Sequence, residues 1–381
     1  MRFALFFVLI ADLLTIALVG FDIFLWVEWM ANRNNLNEGY ALKCLIAASF
    51  ILLYLALGRY FYRSVLGKKQ DREHGPDDER SQDFEKLTRA DGTIIHIEHC
   101  GQRGKPAIVF IHGWNSNSSQ WYYQKKYFSK NYHLIFMDLP GLGQSTKAAN
   151  KDYSLERMAT DLYAVLEKTK AKNPVLWGHS TGGMTILTFL KYNRHDLSPL
   201  RGVILQHTTY TNPLKTIILS DKVLPLQKSI LEPVARLSIP GAPLLWLIKW
   251  LSYFNGHLLI RTHIMLFSGN ETKKQLDFAS WLWAIVDPAI TLRGVLAMFR
   301  YNASEILDQI KLPVLIITAI HDKLTLPAAS HTMNNAIAGS KLLTLKSAAH
   351  IGLLECHDEV NRSAEDFMNE IREPVQIGRE L

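Results

Sequence analysis

Cysteine is scarce in this chain. Among 381 residues there are three, Cys44, Cys100 and Cys356. They form no Cys-x-x-Cys pair and show no metal-ligand spacing, so a disulfide framework and a cysteine-held metal centre are both excluded. Charge is sparse as well: 20% of residues are charged against 48% hydrophobic, which leaves material for a large core. The formal net charge is +7. A basic excess serves nucleic acid or an anionic membrane surface. No basic face interleaved with aromatic residues is present, so no nucleic-acid partner is expected and the membrane reading is preferred. Internal repeats are lacking too, which excludes a solenoid.

Long apolar runs are present, and they lie at the N-terminus. Phe3 to Val27 reads FALFFVLIADLLTIALVGFDIFLWV, and Ala41 to Leu57 reads ALKCLIAASFILLYLAL. The first is long enough for a hydrocarbon layer about 30 Å thick, and the second is a further apolar run of near-spanning length. A central Asp costs about 2.5–3.5 kcal/mol on insertion scales. Asp12 and Asp22 oppose the first span, but seventeen Leu, Ile, Val and Phe residues outweigh them. Asp12 is expected to face the second helix or a partner chain, or to be tolerated near the interface. Residues 1–66 therefore predict a two-pass helical hairpin. Arg59, Arg63, Lys68, Lys69 and Arg72 follow the second span, whereas the hairpin loop carries only Arg33. The positive-inside rule then places both ends, and the following domain, in the cytoplasm. Residues 67–83 (GKKQDREHGPDDERSQD) are charged and poor in apolar residues, and predict a solvated linker.

From residue 84 onward the pattern alternates. Phe84–Thr88 and Thr93–His99 flank Ala-Asp-Gly, a hairpin signal. Ala107–Ile111, His133–Asp138, Val175–Trp177, Gly202–Leu205 and Val314–Thr318 are apolar runs of strand length, and Lys341–Leu345 is a weaker one. Helical spacing marks Tyr153–Lys168, Thr181–Tyr192, Pro327–Ile337 and Glu359–Ile371. Apolar strands alternating with helices predict a mostly parallel sheet covered on both faces. Residues from about 208 to 300 break the rhythm and predict a helical cap inserted between two strands. Within it, Ala242–Phe254 (APLLWLIKWLSYF) fits either a membrane-surface helix or a buried amphipathic one.

Gly178-His179-Ser180-Thr181-Gly182 fits G-x-S-x-G. A sharp strand-to-helix turn holds such a serine in a strained conformation, so its neighbours must be small. The preceding apolar run and the following helix supply that context. A serine hydroxyl needs a base. His350, in SAAHIGLLE after a late strand, is the candidate, ahead of His321, His331 and His357. Asp322, in LIITAIHDKLTLP, is the candidate carboxylate to orient the imidazole, and the order Ser, Asp, His suits this architecture. Two backbone N–H groups should receive a developing oxyanion. Thr181 and Trp114, in HGWNSNSSQW, are the candidates, and His112 is expected to brace that loop.

With these motifs in place, residues Phe84 to Ile371 resemble the α/β-hydrolase superfamily. The matching stretches are His112–Trp114, DLPGLGQS (Asp138–Ser145), GHSTGG (Gly178–Gly183), HDKLTLP (His321–Pro327) and Ala348–His350. Ala319 and Ala349 depart from the pattern where Gly is common. The resemblance implies an eight-stranded α/β sheet, a Ser-Asp-His triad, and neither cofactor nor metal. The arrangement of hairpin and hydrolase is similar to that of membrane-anchored monoacylglycerol lipases. The expected function is membrane-bound serine hydrolysis of carboxylic esters, of acyl or lipid-like substrates. A non-catalytic binding protein of the same fold, and a hydrolase of small soluble esters or thioesters, remain open alternatives.

Overall fold

The computed structural model describes residues 2–34, 38–68, 75–192 and 200–371. Two long helices open the chain, α1 (Arg2–Asn32) and α2 (Glu38–Leu66). Both contain stretches long and apolar enough to cross a membrane, Leu13–Asn32 and Gly39–Leu66. They pack along each other through Leu25, Cys44 and Ala48. Asp22 is buried in the hairpin. The side chain of Asp12 lies outside the described part, as do Lys69 and Arg72.

Eight strands follow: β1 (Phe84–Thr88), β2 (Ile94–Cys100), β3 (Ala107–Ile111), β4 (His133–Met137), β5 (Val175–His179), β6 (Gly202–Gln206), β7 (Val314–Ala319) and β8 (Lys341–Leu345). They form one sheet in the order β1-β2-β4-β3-β5-β6-β7-β8. The pairs β1–β2 and β2–β4 are antiparallel and the rest are parallel. Every residue of β3 to β7 is buried, as unbroken apolar runs require, whereas edge strand β1 alternates and edge strand β8 is only partly buried. Strand β2 starts at Ile94 rather than Thr93. The Asp91 side chain accepts hydrogen bonds from the N–H and hydroxyl of Thr93, which ties that residue into the turn.

Helices α3 (Tyr122–Phe128), α4 (Leu155–Thr169), α5 (Thr181–Tyr192), α12 (Pro327–Ala336), α13 (Gly352–Glu355) and α14 (His357–Glu370) connect or follow the strands. Ser154 caps α4 by accepting from Arg157 N–H, and Lys170 ends it in the left-handed region. One face of the sheet is aromatic. Phe110 lies 4.8–5.3 Å from the rings of Phe136, Trp121 and Trp177.

Between β6 and β7 the chain forms α6 (Ser220–Val223), α7 (Glu232–Ser238), α8 (Ala242–Phe254), α9 (His257–Leu266), α10 (Lys273–Ile285) and α11 (Pro288–Met298). The hairpin is joined to this insertion. α1 and α2 both pack on α8 and α9. Arg59 pairs with Asp277 at 2.7 Å and lies over the Tyr253 ring, and Arg63 reaches the same carboxylate. Two of the cations expected to set the hairpin's orientation are thus engaged by α10 and α8. The stretch expected to be a solvated linker is only partly so. Gly75 and Pro76 are buried, and Arg80 pairs with Glu98 on β2 and with Asp138 after β4. Two buried carboxylates draw one of the charged residues inward.

Candidate active site

Ser180 sits between β5 and α5 with φ of 52°, a left-handed conformation uncommon for a residue with a side chain. The turn is packed too tightly for larger neighbours. A Cβ on Gly178 would stand 2.5 Å from the carbonyl carbon of Gly182, and one on Gly182 would stand 2.1 Å from the carbonyl oxygen of Ile111. The opposing atoms are backbone and cannot swing away, so the glycines around the serine are steric requirements.

The structure brings the three predicted side chains together. His350 Nε2 lies 3.1 Å from Ser180 Oγ, and His350 Nδ1 lies 3.1 and 3.0 Å from the two oxygens of Asp322. A carboxylate only accepts, so Nδ1 carries the proton and Nε2 offers its lone pair to the serine hydroxyl. Asp322 also accepts from Leu324 N–H and Thr325 N–H, both at 2.9 Å, and from Thr325 Oγ1 at 2.7 Å. Burial would raise its carboxyl, but the facing His350 imidazole and the hydrogen bonds the carboxylate accepts hold it far below the ordinary carboxylate range. Among the other histidines considered, His321 and His331 are exposed, and His357 stacks on Tyr123.

Two further histidines sit at this site. His179, inside the serine motif, lies with Nε2 2.9 Å from the carbonyl oxygen of His350 and so donates to it, fixing the backbone of that residue. His207 follows β6 with φ of 47° and is fully buried. Its Nδ1 lies 3.5 Å from Asp322 Oδ2, the same oxygen that His350 Nδ1 approaches at 3.0 Å. Burial lowers both imidazoles, so they are neutral. No sequence signal marks His207, because a lone histidine after a strand resembles any loop residue. Its positive φ is the only local signal, and φ is not readable from sequence.

Trp114 and Thr181 line the same cavity as Ser180 and His350. Thr181 opens α5, so its N–H has no acceptor within the helix. The Trp114 indole is turned away into the cap. Its Nε1 donates to the carbonyl of Thr291 at 3.2 Å, and a Cβ on Gly294 would collide with the ring at 2.0 Å. His112 braces the loop. Leu139 N–H donates to His112 Nε2 at 3.0 Å, so the proton sits on Nδ1, which donates to the carbonyl of Gly113 at 2.8 Å. Asp138 joins the same frame by accepting from Ser118 N–H, Ser118 Oγ and Gln144 N–H.

The cavity holds about 230 Å³ and its wall is mainly apolar. Met184, Leu282, Trp283, Val295, Met298 and Leu354 contribute to it. Of the aromatic residues of α8 and α10, Trp283 reaches the cavity, whereas Trp246, Trp250, Tyr253 and Phe254 pack on one another. Among the described residues, no cluster of three or more His, Cys, Asp or Glu has the arrangement to hold a metal ion.

Sheet order, the strained serine turn and the helical insertion together define an α/β-hydrolase. The model of the alpha/beta hydrolase fold matches residues 106–355, and the chain belongs to that family. Similar proteins include monoacylglycerol lipase ABHD6 of Rattus norvegicus, 23% identical over 86% of this chain and 91% of its own length. Epoxide hydrolase 3 of Xenopus tropicalis is 24% identical over 73% of this chain and 76% of its own. Among solved structures, an esterase from Thermogutta terrifontis covers 76% of this chain and 99% of its own, with a TM-score of 0.61 at 20% identity.

Proposed function

We propose that the chain is a membrane-anchored serine hydrolase that cleaves carboxylic esters of acyl or lipid-like character through an acyl-enzyme. The observation that carries this reading is the relay from Ser180 Oγ through His350 to Asp322, with links of 3.1 and 3.0 Å. In the first half-reaction Ser180 Oγ attacks the ester carbonyl and His350 Nε2 takes its proton. Trp114 N–H and Thr181 N–H face the oxyanion that forms. The tetrahedral adduct collapses as His350 returns the proton to the departing alkoxide, which leaves as an alcohol. In the second half-reaction His350 takes a proton from water, and hydroxide attack on the acyl-serine releases the carboxylate and restores Ser180. Asp322 keeps its charge throughout and stabilises the imidazolium.

A serine at the turn, where a carboxylate would form an alkyl-enzyme, favours ester cleavage over epoxide opening. The apolar cavity wall and the two N-terminal helices support an acyl substrate taken at a bilayer. The cations after α2 support a cytoplasmic catalytic domain. A fluorophosphonate probe on membranes carrying wild-type protein and Ser180→Ala tests the nucleophile. Labelling of the wild type alone supports it, and labelling of both or neither removes it. Hydrolysis of p-nitrophenyl esters from acetate to palmitate then tests substrate class. A maximum at acetate would favour small soluble esters.

A further inference from the structure

Outside the hairpin, most of the exposed large apolar side chains of the described residues fall on one short segment of the cap, residues 219–254. At its centre, Leu237 to Ile248 reads LSIPGAPLLWLI, with no charge in the run. It is the end of α7, a turn at Pro240-Gly241, and the first half of α8. Leu237 is 80% exposed, Leu244 62% and Leu247 52%, and Trp246 is exposed beside them. Lys249, the next cation, turns inward and donates to the carbonyl of Val286. Contiguous apolar surface without charge marks an interaction site.

The neighbours of this patch decide its occupant. α8 packs directly against α1 and α2. The join is at Thr15 and Gly58, where Ser252 and Asn255 of the cap meet the hairpin. Thr15 lies at the start of the apolar stretch Leu13–Asn32. Lipid chains that cover Leu13 and Leu53 of the hairpin therefore come up beside α8. We infer that Leu237–Ile248 is a second, monotopic membrane contact, a wedge seated in the acyl and headgroup boundary of the leaflet nearest the catalytic domain. The inference rests on the hairpin crossing the bilayer, as in the function proposed above. It adds a consequence for substrate. α11 packs on both α7 and α8, and its Val295 and Met298 line the catalytic cavity. The wedge is thus one helix away from the site, and a lipid ester enters from the bilayer rather than from water.

The test uses the full chain in phosphatidylcholine nanodiscs. Cys44, Cys100 and Cys356 are replaced by alanine, and a nitroxide is attached in turn to Leu237→Cys, Leu244→Cys and Phe84→Cys, the last on the edge strand β1. Collision with oxygen, which concentrates in hydrocarbon, is compared with collision with a water-soluble nickel chelate. Oxygen should dominate several-fold at 237 and 244, and the chelate at 84. Equal access of the chelate to all three positions overturns the wedge. So does spin–spin broadening at 237 and 244 in place of lipid exposure, which would assign the patch to a second copy. This readout needs no catalysis, so a failed ester assignment leaves it intact. A triple variant, Leu237→Glu, Leu244→Glu and Leu247→Glu, tests entry. Turnover of a long-chain ester dissolved in the nanodisc should fall tenfold or more, with p-nitrophenyl acetate unchanged. An equal change in both rates overturns entry from the bilayer.

Discussion

Asp322→Asn separates the electrostatic role of this residue from its bulk. The carboxylate accepts from Leu324 N–H, Thr325 N–H, Thr325 Oγ1 and His350 Nδ1. An amide has one acceptor oxygen and must turn its NH2 toward some of these donors. If it faces His350, the imidazole is pushed to the tautomer whose Nε2 carries the proton, and Ser180 loses its base. Loss of that base and of the charge facing the imidazolium should cost about 10³ to 10⁴ in kcat, or about 4–5.5 kcal/mol of barrier. Folding should suffer as well, because each hydrogen bond to a charged group contributes about 1.5–3 kcal/mol. The pH dependence is a second readout. The folded carboxyl titrates below its unfolded value of about 3.9. Its stabilisation is therefore complete above about pH 5 and is lost as pH falls through the folded value. Between pH 5 and 3 the wild type should lose stability more steeply than Asp322→Asn. The assays are the initial rate on p-nitrophenyl butyrate at pH 8 and the thermal midpoint in detergent across pH 3–7. A folded variant within tenfold of wild type in rate, or with the same acid slope, would refute the assignment of Asp322.

Gly182→Ala should abolish fluorophosphonate labelling, with a loss above about 100-fold in ester turnover. Its Cβ meets the carbonyl oxygens of Ile111 at 2.1 Å and His112 at 3.0 Å, and relief moves the serine turn. Labelling at the wild-type rate would show that the turn is looser than its packing implies. Cys356 should resist alkylation. Burial and the nearby Glu355 and Glu359 push its thiol up to about 11. Iodoacetamide at pH 7.5, read by mass spectrometry, should leave it largely unmodified and reach it progressively as pH rises. Rapid modification at pH 7.5 contradicts this.

The strands were legible because a strand covered on both faces must be apolar at every position, and that pattern is local. β1, β3 and β8 fall on the bounds read from the sequence, and the others shift by a residue or two at their ends. The serine turn was legible for the same reason, since its steric demands fall on five adjacent residues. The residues that escaped notice act across distant parts of the chain. Arg80 reads as one more charge in a polar stretch until β2 and the loop after β4 bring Glu98 and Asp138 to it. His207 acquires meaning only when β6 and β7 lie side by side and set Asp322 opposite its ring. Gly294 looks like a weak point in a helix, yet the Trp114 ring occupies the space that a side chain would need.

The same argument bears on the hairpin, which its sequence presents as a separable anchor. Where it meets the cap, Thr15, Ser252, Asn255 and His257 are all buried. Asn255 Nδ2 donates to Thr15 Oγ1 at 3.1 Å. His257 Nδ1 donates to the carbonyl of Ala11 at 3.1 Å, which leaves Nε2 to accept from Tyr54 OH at 2.9 Å. Partners on α1 and α2 thus satisfy polar groups on the cap. Without the hairpin those groups would lose their partners, and the apolar surface around them would meet water. His257 opens α9, and Leu266 at the other end of that helix lines the cavity that holds Ser180 and His350. The hairpin therefore completes the cap as well as carrying the features of an anchor. A domain lacking the hairpin should therefore differ from the full chain in the wall of its cavity and, on the function proposed above, in substrate preference.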